Sequence, residues 1–274
     1  MKLKFILLVL VLNSLLVFSQ DYEPIELAKK LFQTDFPEVK NYSKGEFEGH
    51  PNKNDIGENL KLSFRTLNQT DKTAVVNITM KDNLNKGYDT YLHFEKDKNW
   101  MITAFRGLAQ TGILEQMVLG AEKMSENDIQ KMLNISKKSK FSVFKSKEDF
   151  KLHIENAKLT IGFDDDIVKH FIDNKEKFVD LKNRIENLKK SNPNLKEKEL
   201  SLRFEKELKS LFLHSYGNFH FSCEDCFILT IGGMIDNTVG YFYEPDKTKI
   251  PEINPSKIIM IREIGDGWYM YKTT

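Results

Sequence analysis

The sequence is short of the residues that most often bind metals or act as nucleophiles: its 274 positions hold only two cysteines and six histidines. Net charge is nearly absent too, since 41 basic residues face 40 acidic ones. That balance favours neither nucleic acid nor an anionic membrane as a partner. The spacings typical of phosphate-binding loops, serine hydrolases, zinc proteases and EF-hands do not occur. We therefore expect no nucleic-acid partner, no cofactor and no metal, and we assign no catalytic residue.

The longest apolar run lies at the N-terminus, where residues 1–20 have the form of a signal peptide. Two lysines precede the apolar stretch 5–12, and Val17 and Ser19 suit the −3 and −1 positions of a cleavage site. An uncleaved membrane anchor is the alternative, but two polar residues interrupt the run, which is short for a bilayer. No later segment is suited to span a membrane. We predict cleavage and export to the periplasm or to the outside of the cell.

Residues 21–135 are predicted to form a first α+β domain that begins with a helix and continues as a sheet. In the stretch Pro24–Phe32 the apolar residues fall on one helical face, and proline suits the first turn. Three strand-like runs follow. The last of them, Tyr88–Phe94, is joined through a polar turn to a strand that begins at Trp100, which is typical of a hairpin.

Residues 136–274 are predicted to form a second domain, with the polar, basic segment 136–140 as the boundary. Its helices come first, and one residue of Asp164–Asp166 is expected to cap a helix. Apolar residues at helical spacing indicate a long αα-hairpin around the turn Ser191–Asn194. The chain ends in strand-like runs, and the last two form a hairpin around Gly265–Gly267, whose residues tolerate positive φ. The predicted fold class is α+β, with helices packed on curved antiparallel sheets.

The two halves of the chain share one local pattern: a strand, a polar turn, and a final strand that begins with tryptophan. The pattern spans Thr90–Phe105 in the first half and Lys257–Lys272 in the second, and it contains both tryptophans of the chain. In this order of elements the first half resembles the NTF2-like and cystatin-like α+β families, and the end of the second half resembles them more loosely. The resemblance implies helices on a curved antiparallel sheet, in two diverged copies. Members of these families range from enzymes to binding modules, so no catalytic residue is carried over.

The strongest local constellation is Cys223-Glu-Asp-Cys226, with His220 and His214 shortly before it. In an exported protein we expect these cysteines to form a structural disulfide. Three alternatives stay open: two buried free thiols, a redox dithiol, and a zinc site that adds His214 and His220. The redox alternative is disfavoured because the two acidic residues between the cysteines raise the thiol pKa. The zinc alternative is disfavoured because no second C-x-x-C occurs.

Aromatic side chains of the predicted sheets are candidates to line a ligand pocket between sheets and helices, although each is also expected in a core. Asp236 and Asn237 follow a Gly-Gly pair and could hold a ligand by hydrogen bonds, but this pattern more often marks a bulge and a turn. His93 lies in a predicted strand, where a structural role competes with that of a base. The candidate aromatic residues are Tyr91 and Trp100 in the first half, and Tyr241, Tyr243 and Trp268 in the second.

These observations lead to one functional hypothesis and two alternatives. The signal segment, the aromatic sheets and the lack of a catalytic set favour an exported, non-catalytic protein that binds an unknown small molecule or an envelope protein. The first alternative is an NTF2-like enzyme acting on a small molecule, with His93 as its base. A pocket with a histidine or carboxylate of strongly shifted pKa would support it. The second is an adaptor that binds proteins through the charged αα-hairpin, which an exposed apolar patch would support.

Overall fold

A computed structural model of the chain describes residues 21–109, 111–136, 144, 146–217, 221, 223 and 225–274. Two separate antiparallel sheets are present, and helices pack against them. The α+β fold class predicted from the sequence is therefore confirmed. The segment 1–20 lies outside the described residues, so its assignment as a signal peptide stays a prediction.

The first sheet is a meander of four strands: β1 (Lys61–Gln69), β2 (Thr73–Lys81), β3 (Gly87–Lys96) and β4 (Trp100–Gly107). Each strand pairs antiparallel with the next, and β3 and β4 form the predicted hairpin. Helix α1 (Pro24–Gln33) precedes the sheet and packs on β1 and β2. Its buried face consists of Pro24, Leu27, Ala28, Leu31 and Phe32, which agrees with the apolar spacing of the sequence.

The two inner strands of the first sheet, β2 and β3, are buried on both faces, and each face belongs to a different core. Successive residues of a strand point to opposite faces of the sheet. In β2, Val76 joins the core under α1, whereas Val75 joins the core of the second half of the chain. In β3 the same alternation separates Leu92 from Tyr91. The first sheet therefore lies between α1 and the second half.

The helices that follow the first sheet are α2 (Thr111–Glu122), α3 (Glu126–Ser136), α4 (Lys147–Thr160) and α5 (Asp164–Asp173). They continue as α6 (Lys175–Ser191), α7 (Glu197–Arg203) and α8 (Glu205–Ser210). Helix α2 packs on α4, and α4 packs on the second sheet. This contact places the C-terminal end of α4 and the start of α5 between the two sheets.

The predicted αα-hairpin is present, but both of its arms are broken. The first arm divides at Asn174 (φ −119°, ψ 15°), between α5 and α6. The Asn174 side chain donates a hydrogen bond to the His170 carbonyl at 3.0 Å, and so competes with the backbone of the helix. The return arm divides at Phe204 (φ −105°, ψ 20°), between α7 and α8. Apolar residues at helical spacing continue through both breaks, which is why the spacing predicted uninterrupted helices.

The second sheet has the strand order β5-β6-β7-β9-β8 and is antiparallel throughout. Its strands are β5 (Ser215–Tyr216), β6 (Phe227–Met234), β7 (Asn237–Tyr243), β8 (Ile258–Gly265) and β9 (Trp268–Thr273). The β8–β9 turn contains Asp266 at φ 52° and Gly267 at φ 79°, which confirms the predicted positive-φ turn. Strand β9 lies between β7 and β8, and it is buried along its whole length.

The two halves of the chain share buried contacts. Tyr91 of the first sheet belongs to the same core as Phe171 and Trp268 of the second half. Arg106, near the end of β4, donates through Nε to the Pro255 carbonyl at 2.7 Å. The division into two domains stays a prediction. These contacts bring the ends of both sheets and the start of α5 to one place, where the candidate site lies.

Candidate functional site

A cavity of about 910 Å³ lies where the two halves of the chain meet, and we call it the central cavity. Its walls are formed by the start of β3 and the end of β4, by α2, and by the connection between α4 and α5. Phe105, Val118 and Phe163 provide apolar surface, one from each wall. Asp89 and Lys272 are buried residues of the lining and form its floor. A concave site with apolar walls and a few polar groups is the usual form of a small-molecule site.

A buried polar cluster holds the floor of the central cavity in place. Lys272 Nζ and Asp164 Oδ1 are 2.7 Å apart, and their side chains are only 4% and 2% exposed. The Tyr91 hydroxyl lies 2.9 Å from each carboxylate oxygen of Asp164 and donates to this carboxylate. Burial raises the pKa of Asp164, and the Lys272 ammonium opposes that rise. Because Tyr91 lies in β3 and Lys272 in β9, the cluster ties the start of α5 to both sheets.

Asp89 completes the cluster by capping α5 from another element. The backbone N–H of Asp164 donates to Asp89 Oδ2 at 2.7 Å. The other carboxylate oxygen of Asp89 accepts from Asn77 Nδ2 at 3.0 Å and from the Thr79 hydroxyl. A carboxylate at a helix N-terminus is stabilised by the unpaired N–H groups and by the helix dipole.

The expectation that one residue of Asp164–Asp166 caps this helix is wrong. Helix α5 begins at Asp164, so all three acids lie in its first turn, and the residue before them is Phe163, which makes no side-chain cap. The apolar side chain of Phe163 cannot accept a hydrogen bond. The acceptor therefore comes from Asp89 in β3.

An ion network lies beside this cluster at the protein surface. Arg65 of β1 and Arg262 of β8 donate to Asp165 Oδ1 at 2.6 Å and 2.7 Å. The hydrogen bond from Arg65 is the main reason why the pKa of Asp165 falls to about 2, and Arg262 adds to the effect. Since the two arginines belong to different sheets, Asp165 forms a second bridge between the sheets through the first turn of α5.

The mouth of the central cavity carries charged side chains. Glu115 of α2 and Asp166 of α5 contribute exposed carboxylates to the lining. Lys86, in the turn between β2 and β3, contributes an exposed ammonium group, and Tyr88 an exposed aromatic ring. Apolar walls, a buried polar floor and a charged mouth together suit an organic molecule that has both apolar and charged parts.

A second cleft lies between α4 and the segment from α7 to β5. It consists of two adjoining cavities of about 690 Å³ and 310 Å³, and His153 and His214 line both of them. His153 Nδ1 lies 2.8 Å from the Asp149 carbonyl and donates to it. Burial lowers the pKa of His214, and the nearby His153 adds to the effect. Over the described part of the chain, no group of three or more His, Cys, Asp or Glu side chains is arranged to hold a metal ion.

Tyr91, Tyr241 and Tyr243, which the sequence offered as candidate ligand contacts, do not line the central cavity. Tyr91 and Tyr241 are fully buried, and their hydroxyls donate to the Asp164 carboxylate and to the Ile167 carbonyl. Tyr243 is half-buried and packs against the core that contains Tyr91 and Trp268. These contacts are structural, and a role of the three tyrosines in ligand binding stays a prediction.

The two tryptophans are buried in separate cores. Trp100 is 1% exposed and packs in the core under α1. Trp268 is 1% exposed and packs against Phe171, with ring centroids 5.1 Å apart. Neither side chain lines the central cavity, and their role in ligand binding stays a prediction.

His93 lies on the same face of β3 as Tyr91 and is 4% exposed. Burial lowers its pKa to about 4, and the positive charge of Arg106 contributes a smaller part. Within the described protein its Nε2 atom has no hydrogen-bond partner. His93 is thus a neutral, enclosed imidazole outside the lining of the central cavity, and its function as a base stays a prediction.

Asp236 and Asn237 lie at the tight turn from β6 to β7. Asn237 Oδ1 accepts from the Ala109 backbone N–H at 3.2 Å, and Asn237 Nδ2 donates to Asp236 Oδ1 at 3.0 Å. The preceding residue, Ile235, has φ 56° and is 74% exposed. The pair therefore shapes a turn and holds the chain ahead of α2, and its role in ligand binding stays a prediction.

Cys223 and Cys226 lie within disulfide-bonding distance, with Cα atoms 5.5 Å apart. Both are half-buried and pack beside the core formed by the outer face of the second sheet. The expected cysteine pair is therefore confirmed. His220, which the zinc alternative requires, lies outside the described residues, and His214 lines the second cleft.

Sequence reasoning missed Asp89 and Lys272, the charged residues on the floor of the central cavity. Each is one charged residue among the apolar and aromatic residues of a strand, in GYDTYLHF and in WYMYKT. This placement is itself a signal, because aspartate and lysine are rarely buried unless they are paired. The signal indicates that a partner exists, and only the fold identifies Asp164 as that partner of Lys272.

Fold and site together define an α+β protein with two antiparallel sheets and a cavity of small-molecule size at their junction. No protein-family model, curated protein or solved structure matches this chain. The resemblance to the NTF2-like and cystatin-like families therefore stays a prediction. In the part of the chain that the structure describes, no helix is long and apolar enough to cross a membrane.

Proposed function

We propose that the protein is an exported, non-catalytic binding protein that holds a small organic molecule in the central cavity. The observation that carries the proposal is the cavity itself, about 910 Å³ in volume, with apolar walls, a buried polar floor and a charged mouth. This volume is in the range of cavities that enclose most of the surface of a small ligand. The floor is tied to both sheets through the start of α5, which favours a preformed site.

The non-catalytic part of the proposal rests on the bonds made by the floor residues. Asp89 accepts three hydrogen bonds, which involve both of its carboxylate oxygens. Lys272 is paired with Asp164. A general base needs an accessible lone pair within reach of the substrate proton. An NTF2-like enzyme that used Asp89 or Lys272 as its base would therefore require one of these contacts to open when substrate binds.

Export is supported by the apolar segment 1–20 and by the cysteine pair, because disulfides persist in the periplasm and outside the cell. The test is the intact mass of the protein recovered from its host, with and without thiol alkylation. We expect the mass to lack the signal segment and two further hydrogens. We also expect the mass to be the same with and without alkylation. Full-length protein in the cytoplasm would contradict export, and free thiols that bind zinc would contradict the disulfide.

Ligand binding is tested with three naphthalene probes of matched size: 1-naphthylmethylamine, 1-naphthalenemethanol and 1-naphthoate. We expect at least one of them to bind with a Kd below about 1 mM in calorimetric titration. In the variant Gly107→Phe, a ring is placed in the lining of the cavity. A Cβ atom at Gly107 comes no closer than 3.7 Å to its neighbours, so the backbone tolerates the change. We expect this variant to bind the probe about tenfold more weakly or worse.

The matched control is Gly120→Phe, which adds the same ring on the exposed side of α2. A Cβ atom at Gly120 has no neighbour within 4 Å, and Gly120 does not line the central cavity. We expect this variant to bind the probes like the unchanged protein. If none of the three probes binds, or if Gly107→Phe binds them as well as Gly120→Phe does, the proposal is wrong.

A further inference from the structure

Carboxylates outnumber ammonium groups in the lining of the central cavity. The lining lysines are Lys86, Lys158 and Lys272. The lining carboxylates are those of Asp82, Asp89, Glu115 and Asp166. Charges of one sign in a concave site with apolar walls produce a field that favours ligands of the opposite sign.

Two of the lining lysines are paired with carboxylates that lie outside the lining. Lys272 Nζ is 2.7 Å from Asp164 Oδ1. Lys158 Nζ is 3.0 Å from Glu122 Oε1 and 3.2 Å from Glu155 Oε1. Such close opposite charges largely cancel the field of the two ammonium groups. The excess of negative charge at the cavity is therefore larger than the lining residues alone indicate.

An aromatic wall of the cavity already binds a cation that belongs to the protein. Lys81 Nζ, at the end of β2, lies 4.1 Å from the centroid of the Phe163 ring, and Phe163 lines the cavity. This distance is typical of a cation–π contact. Phe105 and the exposed Tyr88 add further aromatic surface to the lining. The walls thus offer apolar and aromatic contact to the body of a ligand, whereas Lys81 already occupies the Phe163 ring with a positive charge, so the attraction for a ligand cation comes from the carboxylates.

We infer that the central cavity selects organic cations, in which an ammonium group is attached to an aromatic or aliphatic body. The ammonium group lies at the mouth, near the carboxylates of Glu115 and Asp166, and the apolar body packs on Phe163 and Phe105. An anionic ligand of the same size meets the excess of carboxylates and binds more weakly. This inference rests on the proposed binding function and adds the ligand class to it.

The three naphthalene probes also test this inference, since they differ mainly in charge. At neutral pH and low salt we expect 1-naphthylmethylamine to bind about tenfold or more tightly than 1-naphthoate, with 1-naphthalenemethanol between them. Raising the salt concentration from about 20 mM to about 500 mM should reduce this preference, because salt screens the exposed carboxylates. In the double variant Glu115→Gln/Asp166→Asn we expect the preference to fall to about threefold or less.

The control is the double variant Glu176→Gln/Asp180→Asn, which removes two exposed carboxylates from α6. These residues do not line the central cavity, and we expect the preference for the amine to be retained. Equal or tighter binding of 1-naphthoate, or a preference unchanged in Glu115→Gln/Asp166→Asn, would overturn the inference and leave the binding function intact. Binding of none of the probes would overturn both.

Discussion

At the scale of single residues, the Lys272–Asp164 pair is the most enclosed ionic contact described. Its two charged atoms are 2.7 Å apart and the side chains are at most 4% exposed. Taking two charges out of water costs several kcal/mol per ion, and only good geometry with further hydrogen bonds offsets that cost. The Tyr91 hydroxyl supplies such a hydrogen bond to Asp164. Removing one partner is therefore more harmful than removing both charges.

Replacement of the buried ammonium, Lys272→Met, is predicted to destabilise the protein by about 3–5 kcal/mol, because Asp164 is left as an uncompensated buried charge. The second replacement, Asp164→Asn, removes that charge. We expect the double variant to be more stable than the sum of the two single losses predicts. Urea denaturation at neutral pH measures all three variants. Strict additivity, or a loss below about 1 kcal/mol in Lys272→Met, would contradict the importance of the pair.

Because His93 is buried and its pKa is lowered, we predict that the stability of the protein depends on pH. Its pKa is about 4 in the folded protein, against 6.5 for an unperturbed histidine, because burial disfavours the charged form. The unfolded chain therefore binds a proton between these values and the folded chain does not. The contribution of the neutral imidazole to the free energy of unfolding is fully present above pH 6.5, and it is lost as the pH falls towards 4. At full extent it amounts to about 3 kcal/mol.

The variant His93→Phe keeps an aromatic ring and removes the titrating group. Between about pH 7 and pH 4.5, we expect its free energy of unfolding to fall less than that of the unchanged protein, by about 2 kcal/mol. Urea denaturation at both pH values gives this difference. His170 and His214 also have pKa values lowered by burial, but they are present in both proteins. Equal losses in the two proteins would show that His93 is not held neutral by the fold.

The sequence could identify individual residues as buried, but not the partner of each one. Trp100 and Trp268 were expected as core residues as well as ligand contacts, and both are buried. The partner of Lys272, by contrast, lies 108 positions away, and nothing local marks Asp164 rather than its neighbours. Long-range pairing of this kind depends on the packing of three elements. For the same reason the sequence predicted a pocket between sheets and helices but not the residues that line the central cavity.

At the scale of elements, helix α5 shows how a start signal can come from elsewhere in the fold. Its N-terminal N–H is capped by Asp89, which lies 75 positions earlier in the chain. The start of this helix was predicted correctly from the three acidic residues of its first turn, since their negative charge complements the helix dipole. The cap itself could not be predicted, because the residue before the helix is apolar.

The variant Asp89→Asn is predicted to destabilise the protein by about 2–3 kcal/mol. The two carboxylate oxygens of Asp89 accept three hydrogen bonds, whereas the amide of asparagine has only one oxygen that can accept them. Hydrogen exchange should quicken first at the start of α5. The control is Asp71→Asn, an exposed carboxylate in the turn between β1 and β2, for which we expect a change within about 0.5 kcal/mol. Equal stability of the two variants would exclude a capping role for Asp89.

The αα-hairpin marks the limit of periodicity as a predictor. Its helical character, its turn and its buried face followed from apolar spacing. The breaks at Asn174 and Phe204 could not be predicted in this way, because the backbone leaves the helical conformation at each of them while the apolar repeat continues. Asn174 carries a local signal, as its side chain can bond to the preceding turn, whereas the backbone change at Phe204 has no comparable signal in the sequence.

At the scale of the whole molecule, the question is whether the two halves unfold together. The sequence predicts two domains, and the described contacts join them through buried groups. Tyr91 and Asp164 are bonded across the halves, and Asp164 is bonded in turn to Lys272. Arg106 donates to the Pro255 carbonyl. Domains that share a core rather than a polar interface unfold as one cooperative unit, because neither retains its buried surface alone.

The two tryptophans report on the two halves separately, since Trp100 lies in β4 and Trp268 in β9 and both are 1% exposed. In Trp100→Phe, fluorescence follows the second sheet, and in Trp268→Phe it follows the first. Circular dichroism measures the secondary structure of the whole chain in the same samples. We expect fluorescence and circular dichroism to give the same urea midpoint within each variant. A separation of more than about 0.5 M in either variant would mean that the halves unfold independently, and that the polar cluster joins two domains instead of completing one core.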